Sequence, residues 1–248
     1  MAYEKTVWAN GQAPALDAEH LNKIEQGIAG VDVMVQANSV GSVSKSLNAS
    51  ELQAYLDSLP RLLTENHVIT LNGTCSQVVY MKGFYGCGSI TLRAANWGDC
   101  VFTKDISIEN CSVPVYMEKL KWTLGDGATT NTYCIVCNNS NMGVTECSFN
   151  GYVAASNRGN GVSALYNSSI VLMNCAFLNL DIAVHTYLGG YISVIGENPE
   201  SDYSGNGVGI YLYQGGLVML GNSVPDTLGG TYNERNGINA IIKNGKFV

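Results

Sequence analysis

Ile108-Glu109-Asn110-Cys111-Ser112-Val113, Val144-Thr145-Glu146-Cys147-Ser148-Phe149 and Leu172-Met173-Asn174-Cys175-Ala176-Phe177 are three copies of one local pattern. In each, an apolar residue leads through a polar turn residue to a cysteine, a small residue and a second apolar residue. Recurrence over a few tens of residues, with short strands between, marks a β-solenoid: one coil cannot bury its apolar side alone and must stack on the next. Stacking in register puts Cys111, Cys147 and Cys175 in one column, with an insertion in the longer first interval. Asn110 and Asn174 then share a second column. Equivalent positions in successive coils are about 4.8 Å apart, so amides can bond along the axis as the backbone does. The pattern therefore predicts a structural ladder of Asn110, Cys111, Cys147, Asn174 and Cys175.

Outward from these copies the same texture continues. Val68-Ile69-Thr70-Leu71, Ser89-Ile90-Thr91-Leu92, Asp105-Ile106-Ser107-Ile108, Ser169-Ile170-Val171-Leu172, Tyr191-Ile192-Ser193-Val194 and Leu217-Val218-Met219-Leu220 form one series of short strands. A second series runs out of phase, at Tyr133, Ala164, Ile182, Ile210 and Ala240. Two series in one repeat require at least two sheets around one core. The expected fold is mainly β: a right-handed, single-stranded parallel β-helix over residues 67–248.

Residues 1–66 read differently. Asn48 and Glu51 stand at capping-box spacing, and Leu52, Tyr55, Leu56, Leu59 and Leu63 make one apolar helical face that Pro60 ends or kinks. A helical cap at 48–66 would cover the open end of the solenoid. The small, polar residues 37–47 read as a linker. In residues 1–36, Leu21, Ile24, Ile28, Val31 and Val35 follow a 3-4-3-4 spacing, the a/d seam of a short coiled coil. Two heptads do not hold alone, so the seam is read either as an oligomerisation stalk or as a face packed on its own domain.

Composition narrows the function. Charged residues are 13% of the 248 and the net charge is −7, with no basic face to neutralise phosphates. Nucleic acid is therefore not an expected partner. No apolar run is long enough to span a bilayer. The N-terminal residues lack the basic and apolar regions of a secretion signal, so the eight cysteines are expected as reduced, mostly buried thiols. A charge this low suggests surface covered by other subunits.

Catalytic chemistry is sparse. Cys134-Ile135-Val136-Cys137 is a lone C-x-x-C on a strand, without the further ligands zinc needs. His185 follows Asp181 by four residues, but no nucleophile pattern accompanies them. Gly205-Asn206-Gly207-Val208-Gly209 reads as a turn. Asp181 with Glu197, Asp202 or Asp226 is one carboxylate set to test for glycoside cleavage, and Asp99, Asp105 and Glu109 another. Solvated turns account for all of them. No catalytic residue, metal site or cofactor is expected. The many tyrosines of the later half suit stacking on carbohydrate and protein contact alike.

Two stretches carry a resemblance. Thr6-Val7-Trp8-Ala9-Asn10-Gly11-Gln12-Ala13-Pro14-Ala15-Leu16-Asp17-Ala18-Glu19-His20-Leu21-Asn22-Lys23-Ile24-Glu25-Gln26-Gly27-Ile28 resembles the N-terminal attachment segment of structural proteins in tailed phages of Gram-positive bacteria. Glu51–Asn66, leading to Gly83-Phe84-Tyr85-Gly86 and Ser89-Ile90-Thr91-Leu92, looks like the start of the β-helix in similar phage appendages. The resemblance implies a virion protein assembled in the host cytoplasm, a homotrimer with β-helices side by side. Residues 1–36 would dock on other virion proteins. It leaves tail fibre, tailspike, neck and head fibre open. It implies either a non-enzymatic appendage, with host-surface glycan as one ligand, or a tailspike that cleaves host polysaccharide; no active site carries over. A β-helix enzyme outside any phage is a weaker third reading.

Overall fold

The computed structural model describes residues 21–28, 41–125, 128–129, 131–152, 157–196 and 202–248. The chain divides into two compact units, residues 1–41 and 42–248. In the first, residues 21–28 are helical. The second is a parallel β-solenoid with three strands to the coil.

Sheet I has nine strands among the described residues: Ser42–Asn48, the first part of Asn66–Cys75, Ser89–Ala94, Val115–Glu118, Asn141–Thr145, Ser169–Met173, Tyr191–Ile195, Leu217–Leu220 and Ala240–Lys243. Sheet II takes the end of Asn66–Cys75 and then Cys100–Phe102, Lys121–Thr123, Ser148–Asn150, Ala176–Leu178 and Tyr203–Ser204. Sheet III runs from Val79–Lys82 through Ile106–Glu109, Tyr133–Asn138, Asn160–Leu165, Ile182–Tyr187 and Asn206–Tyr213 to Gly230–Asn236. Partners in neighbouring coils lie 22 residues apart at Ile170 and Ile192, and 28 apart at Met142 and Ile170. At the far end Lys246–Phe247 folds back antiparallel on Ala240–Lys243.

The strands alternate because the coil is a closed tube: every second side chain points in. Ile69, Ile90, Val115, Met142, Ile170, Ile192, Val218 and Ile241 fill the core beneath sheet I. Sheet II contributes an inward aromatic column. Phe102, Trp122, Phe149, Phe177 and Tyr203 occupy equivalent positions in five coils. Their ring centroids are 5.1, 5.0, 5.0 and 6.2 Å apart in turn.

Sharp corners join the sheets, and many of them turn on a residue with positive φ. Between sheets I and II these are Lys119, Glu146 and Asn174, at φ 58°, 53° and 53°. Between sheets III and I they include Gly83, Asn110 and Asn139, at 65°, 52° and 46°. Each of these corner N–H groups donates to the carbonyl just before the equivalent corner of the next coil, that of Asn139 to Leu165, the partner of Asn138. Glycine suits this conformation because it has no Cβ to crowd the following carbonyl, and asparagine because its short amide can hydrogen-bond locally. The corners explain the Asn/Gly-rich turns without any ligand.

The structure corrects four expectations. First, Ser42–Asn48, which takes up the end of the stretch 37–47 read as a linker and the first residue of the expected cap, is the first strand of sheet I and pairs residue by residue with Asn66–Asn72. It lacks alternation because the outermost coil has a neighbour on one side only, and most of it is exposed. Second, the solenoid therefore starts at Ser42 rather than 67. The helical segment lies between its first two strands, as a 3-10 turn Ala49–Glu51 and a helix Leu52–Ser58. The capping box of Asn48 and Glu51 is present, and Leu52, Leu56 and Leu63 are fully buried.

Third, the ladder splits. Cys147 and Cys175 hold equivalent places at the corner between sheets I and II, where Ser148 faces Ala176. Cys111 lies at the corner between sheets III and I, one coil from Ser140, whose hydroxyl accepts its N–H at 2.9 Å. Asn110 stacks on Asn139, with Nδ2 of Asn139 donating to its Oδ1 at 2.9 Å, while Asn174 stands in the column of Glu146. The two corners need the same backbone turn followed by a small inward residue, so they carry the same local sequence. Fourth, Ile106–Glu109 belongs to sheet III, and the sheet I strand of that coil is Val115–Glu118. Likewise Ala240–Lys243 is on sheet I, not in the second series.

Candidate functional site

The core and corners leave two outer faces on which chemistry could occur. On sheet III, Val136, Ser163, His185, Tyr211 and Glu234 form one outward column over five coils. Asn138, Leu165, Tyr187, Tyr213 and Asn236 form the next. Tyr133 reaches across the intervening strand. Its hydroxyl lies 3.3 Å from Nδ1 of His185, and that of Ser163 lies 3.2 Å from the same atom. The imidazole is stacked on Tyr133 at 6.0 Å and packs against Tyr211 at 5.1 Å, and Tyr187 stacks on Tyr213 at 5.0 Å. Nε2 is buried and meets no hydrogen-bond partner among the described residues.

Burial among rings disfavours the imidazolium and pushes the His185 pKa down to about 4. Burial also raises the Tyr133 and Tyr211 phenols, with a smaller contribution at Tyr211 from Glu234. Among the described residues, its Nδ1 faces the hydroxyls of Tyr133 and Ser163 rather than a carboxylate. Asp181 is engaged elsewhere: its carboxylate accepts from the backbone N–H and Nε of Arg158, at 2.9 and 3.4 Å. Ser163 is only 1% exposed, so its hydroxyl is out of reach of a substrate. The cluster offers tyrosine edges and hydroxyls for contact rather than a nucleophile.

The outer face of sheet I differs. Apart from Arg93, Glu118 and a few asparagines, its outward residues are small, hydroxylated or apolar over nine strands, and a groove of about 450 Å³ crosses it at Tyr116, Gly143, Val171 and Met173. The groove exists because Gly143 has no side chain; a Cβ there would stand 3.1 Å from the Tyr116 ring. At the adjoining corner Asn110, Asn139, Asn141 and Asn167 line a second hollow of about 330 Å³.

The carboxylates considered for glycoside cleavage go separate ways. Glu109 pairs with Lys82 at 3.0 Å and accepts from Ser107. Asp226 pairs with Lys243 at 2.8 Å, and Asp99 accepts the Asn96 N–H. Burial raises the pKa of Asp105. Glu197 lies outside the described residues. Cys134 and Cys137 are buried free thiols, with Sγ of Cys137 directed to the Ser140 carbonyl at 3.3 Å. In the glycine cluster, Asn206 is a buried clamp across three coils. Its Oδ1 accepts from Leu180 N–H, and its Nδ2 donates to the carbonyls of Phe177 and Leu228.

Of the seam residues, Leu21, Ile24 and Ile28 lie on the described helix, with Ile24 and Ile28 exposed. Val31, Val35 and the attachment-like residues 6–20 lie outside the described residues. Among the described residues no three His, Cys, Asp or Glu side chains gather to hold a metal, and no helix is long and apolar enough to cross a membrane. The sequence reading missed the inward aromatic column and the tyrosine–histidine cluster. The signal was one aromatic per coil just after the first corner, hidden by uneven coil lengths.

No family model, no curated protein and no solved structure matches the chain.

Proposed function

We propose that this chain is a structural appendage of a tailed phage virion. It is anchored through residues 1–36 and projects the solenoid as a non-enzymatic, host-contacting shaft. The reading gives the solenoid a right-handed coil, the hand parallel crossovers take, and the protein a homotrimeric state. It places residues 21–35 in a short coiled coil at the trimer axis and assembly in the host cytoplasm.

The observation that carries the reading is a capped parallel solenoid directly following, in sequence, a segment like those that attach virion proteins. The separate engagement of Asp99, Glu109, Asp181 and Asp226 supports contact rather than cleavage. The tyrosine cluster of sheet III is the surface suited to host glycan, because phenol hydroxyls and ring edges complement sugar hydroxyls and C–H faces. Immunogold labelling of phage particles with antibodies to this chain tests it: label at a fixed virion position is expected, and unlabelled particles would sink it. Incubating the purified protein with host polysaccharide separates the alternative. Release of reducing ends or unsaturated sugars would make the chain a depolymerase instead.

A further inference from the structure

We propose that the outer face of sheet I is where copies of this chain pack against one another. This rests on the self-association proposed above and names the surface that carries it.

Three observations lead there. The first is charge. Across the nine strands the outward positions carry only two charged side chains, Arg93 and Glu118, which are of opposite sign and partners in adjacent coils. The last four strands present none: Val171, Met173, Ser193, Ile195, Met219 and Ile242 are typical of them. Covering such a face buries almost no charge, so its desolvation penalty is small.

The second is size. Nine strands at about 4.8 Å, most of them four to five residues wide, make a flat area of roughly 40 by 15 Å. That is on the order of 600 Å², near the ~800 Å² per partner of a stable interface. Tyr116, Met173 and Met219 stand proud of it, at 44%, 40% and 41% exposure. Scattered apolar side chains are ordinary on a surface, but here Val171, Met173, Ile195, Met219 and Ile242 gather over the later strands, while uncharged hydroxyls and amides cover most of the earlier ones.

The third is periodicity. The outward side chains form ridges that repeat with the coil. A second copy repeats with the same spacing, so a ridge can meet a groove at every coil along the contact. A partner without the repeat would match at one or two coils only. The hollow at Gly143, beside the projecting Tyr116, shows that the face has both a hole and a knob.

Methionine oxidation reads the face directly. Hydrogen peroxide transfers one oxygen atom to a thioether and leaves as water. Met173 and Met219 mark the face, and the buried Met81, Met117 and Met142 report that the solenoid stays folded. In the full-length protein at micromolar concentration, sulfoxide at Met173 and Met219 is expected to form at least tenfold more slowly than in the urea-unfolded chain. Ser193→Glu, an outward change between Val171 and Met219, should restore fast oxidation there and lower the mass measured by light scattering. Met81, Met117 and Met142 should stay protected in it. If an oligomer forms while Met173 and Met219 oxidise at the unfolded rate, copies associate elsewhere; this face is then wrong and the appendage reading stands. Protection and mass both unmoved by Ser193→Glu overturn the proposal equally. A protein monomeric at that concentration sinks the self-association itself.

Discussion

Asn206 shows how one amide can hold several coils. All of its described hydrogen bonds go to backbone groups, so removing it leaves a buried N–H and two carbonyls short of a partner. Asn206→Ala is expected to destabilise the protein by about 2–4 kcal/mol, since an unsatisfied buried group costs ~1–3 kcal/mol; urea unfolding checks it. His185 sets a pH dependence of known sign. Its pKa is about 4 when folded and near 6.5 when unfolded. Between those values the unfolded chain binds the extra proton, so this group's contribution to stability falls as pH drops from about 6.5 to about 4, and it changes no further below that. Thermal midpoints of the wild type and of His185→Gln, measured across that range, should converge at the acid end. A parallel pair of curves would refute the assignment. The thiols divide sharply: Cys87 is exposed and the other seven are buried. Burial raises the pKa of Cys100, Cys137 and Cys175 to about 12. The native protein is expected to react with a thiol reagent at Cys87 alone on the minute scale, and at all eight in denaturant.

Among the elements, the aromatic column of sheet II is the part where sequence and packing are most tightly coupled. Trp122, Phe149 and Phe177 each sit between the rings of adjacent coils, so a truncation there opens a cavity that the neighbours cannot close without leaving their own strands. Phe149→Ala, at the centre of the column, is expected to cost about 3–5 kcal/mol. Phe149→Leu should cost much less, because it leaves a smaller void. Calorimetric unfolding of the two variants separates volume from aromaticity. The capping box belongs to the same scale. Asn48 accepts the Ser50 N–H and Glu51 accepts the Asn48 N–H, both at 3.0 Å. Asn48→Ala should cost about 1 kcal/mol, read as a lower urea midpoint at unchanged slope.

For the whole molecule, stability comes from repetition: nearly every strand of the solenoid has a neighbour on each side, and the ends are where pairing stops. One end carries Ser42–Asn48 with the helix Leu52–Ser58 folded into the first turn; the other carries the returning strand Lys246–Phe247. A charge-poor face also has a signature in solution. Surface ion pairs weaken with salt, whereas apolar contact does not. The mass measured by light scattering is therefore expected to stay constant from low salt to about 1 M, a range in which the Debye length falls to ~3 Å. Dissociation on adding salt would point to contact through charges instead.

The fold class lay open in the sequence because stacking forces recurrence. Ile170-Val171-Leu172 and Ile192-Ser193-Val194 had to repeat their inward positions to fill one core, and Asn48 with Glu51 had to stand three apart to close a helix start. The number of faces, the coil boundaries and the columns were settled by tertiary structure. Coil-to-coil intervals run from 20 residues, at Phe102 and Trp122, to 29, at Ile106 and Ile135, so counting along the chain cannot keep register. Cys111 and Cys147 look alike because two different corners impose the same turn, and only the pairing of Ile108 with Cys137 and of Val144 with Leu172 tells them apart. The first strand was illegible for the opposite reason: at the end of a stack, half the burial that writes alternation into a strand is missing. His185 acquired its surroundings from Tyr133, 52 residues earlier, and Tyr211, 26 residues later. Residues that distant meet only once the coils are stacked.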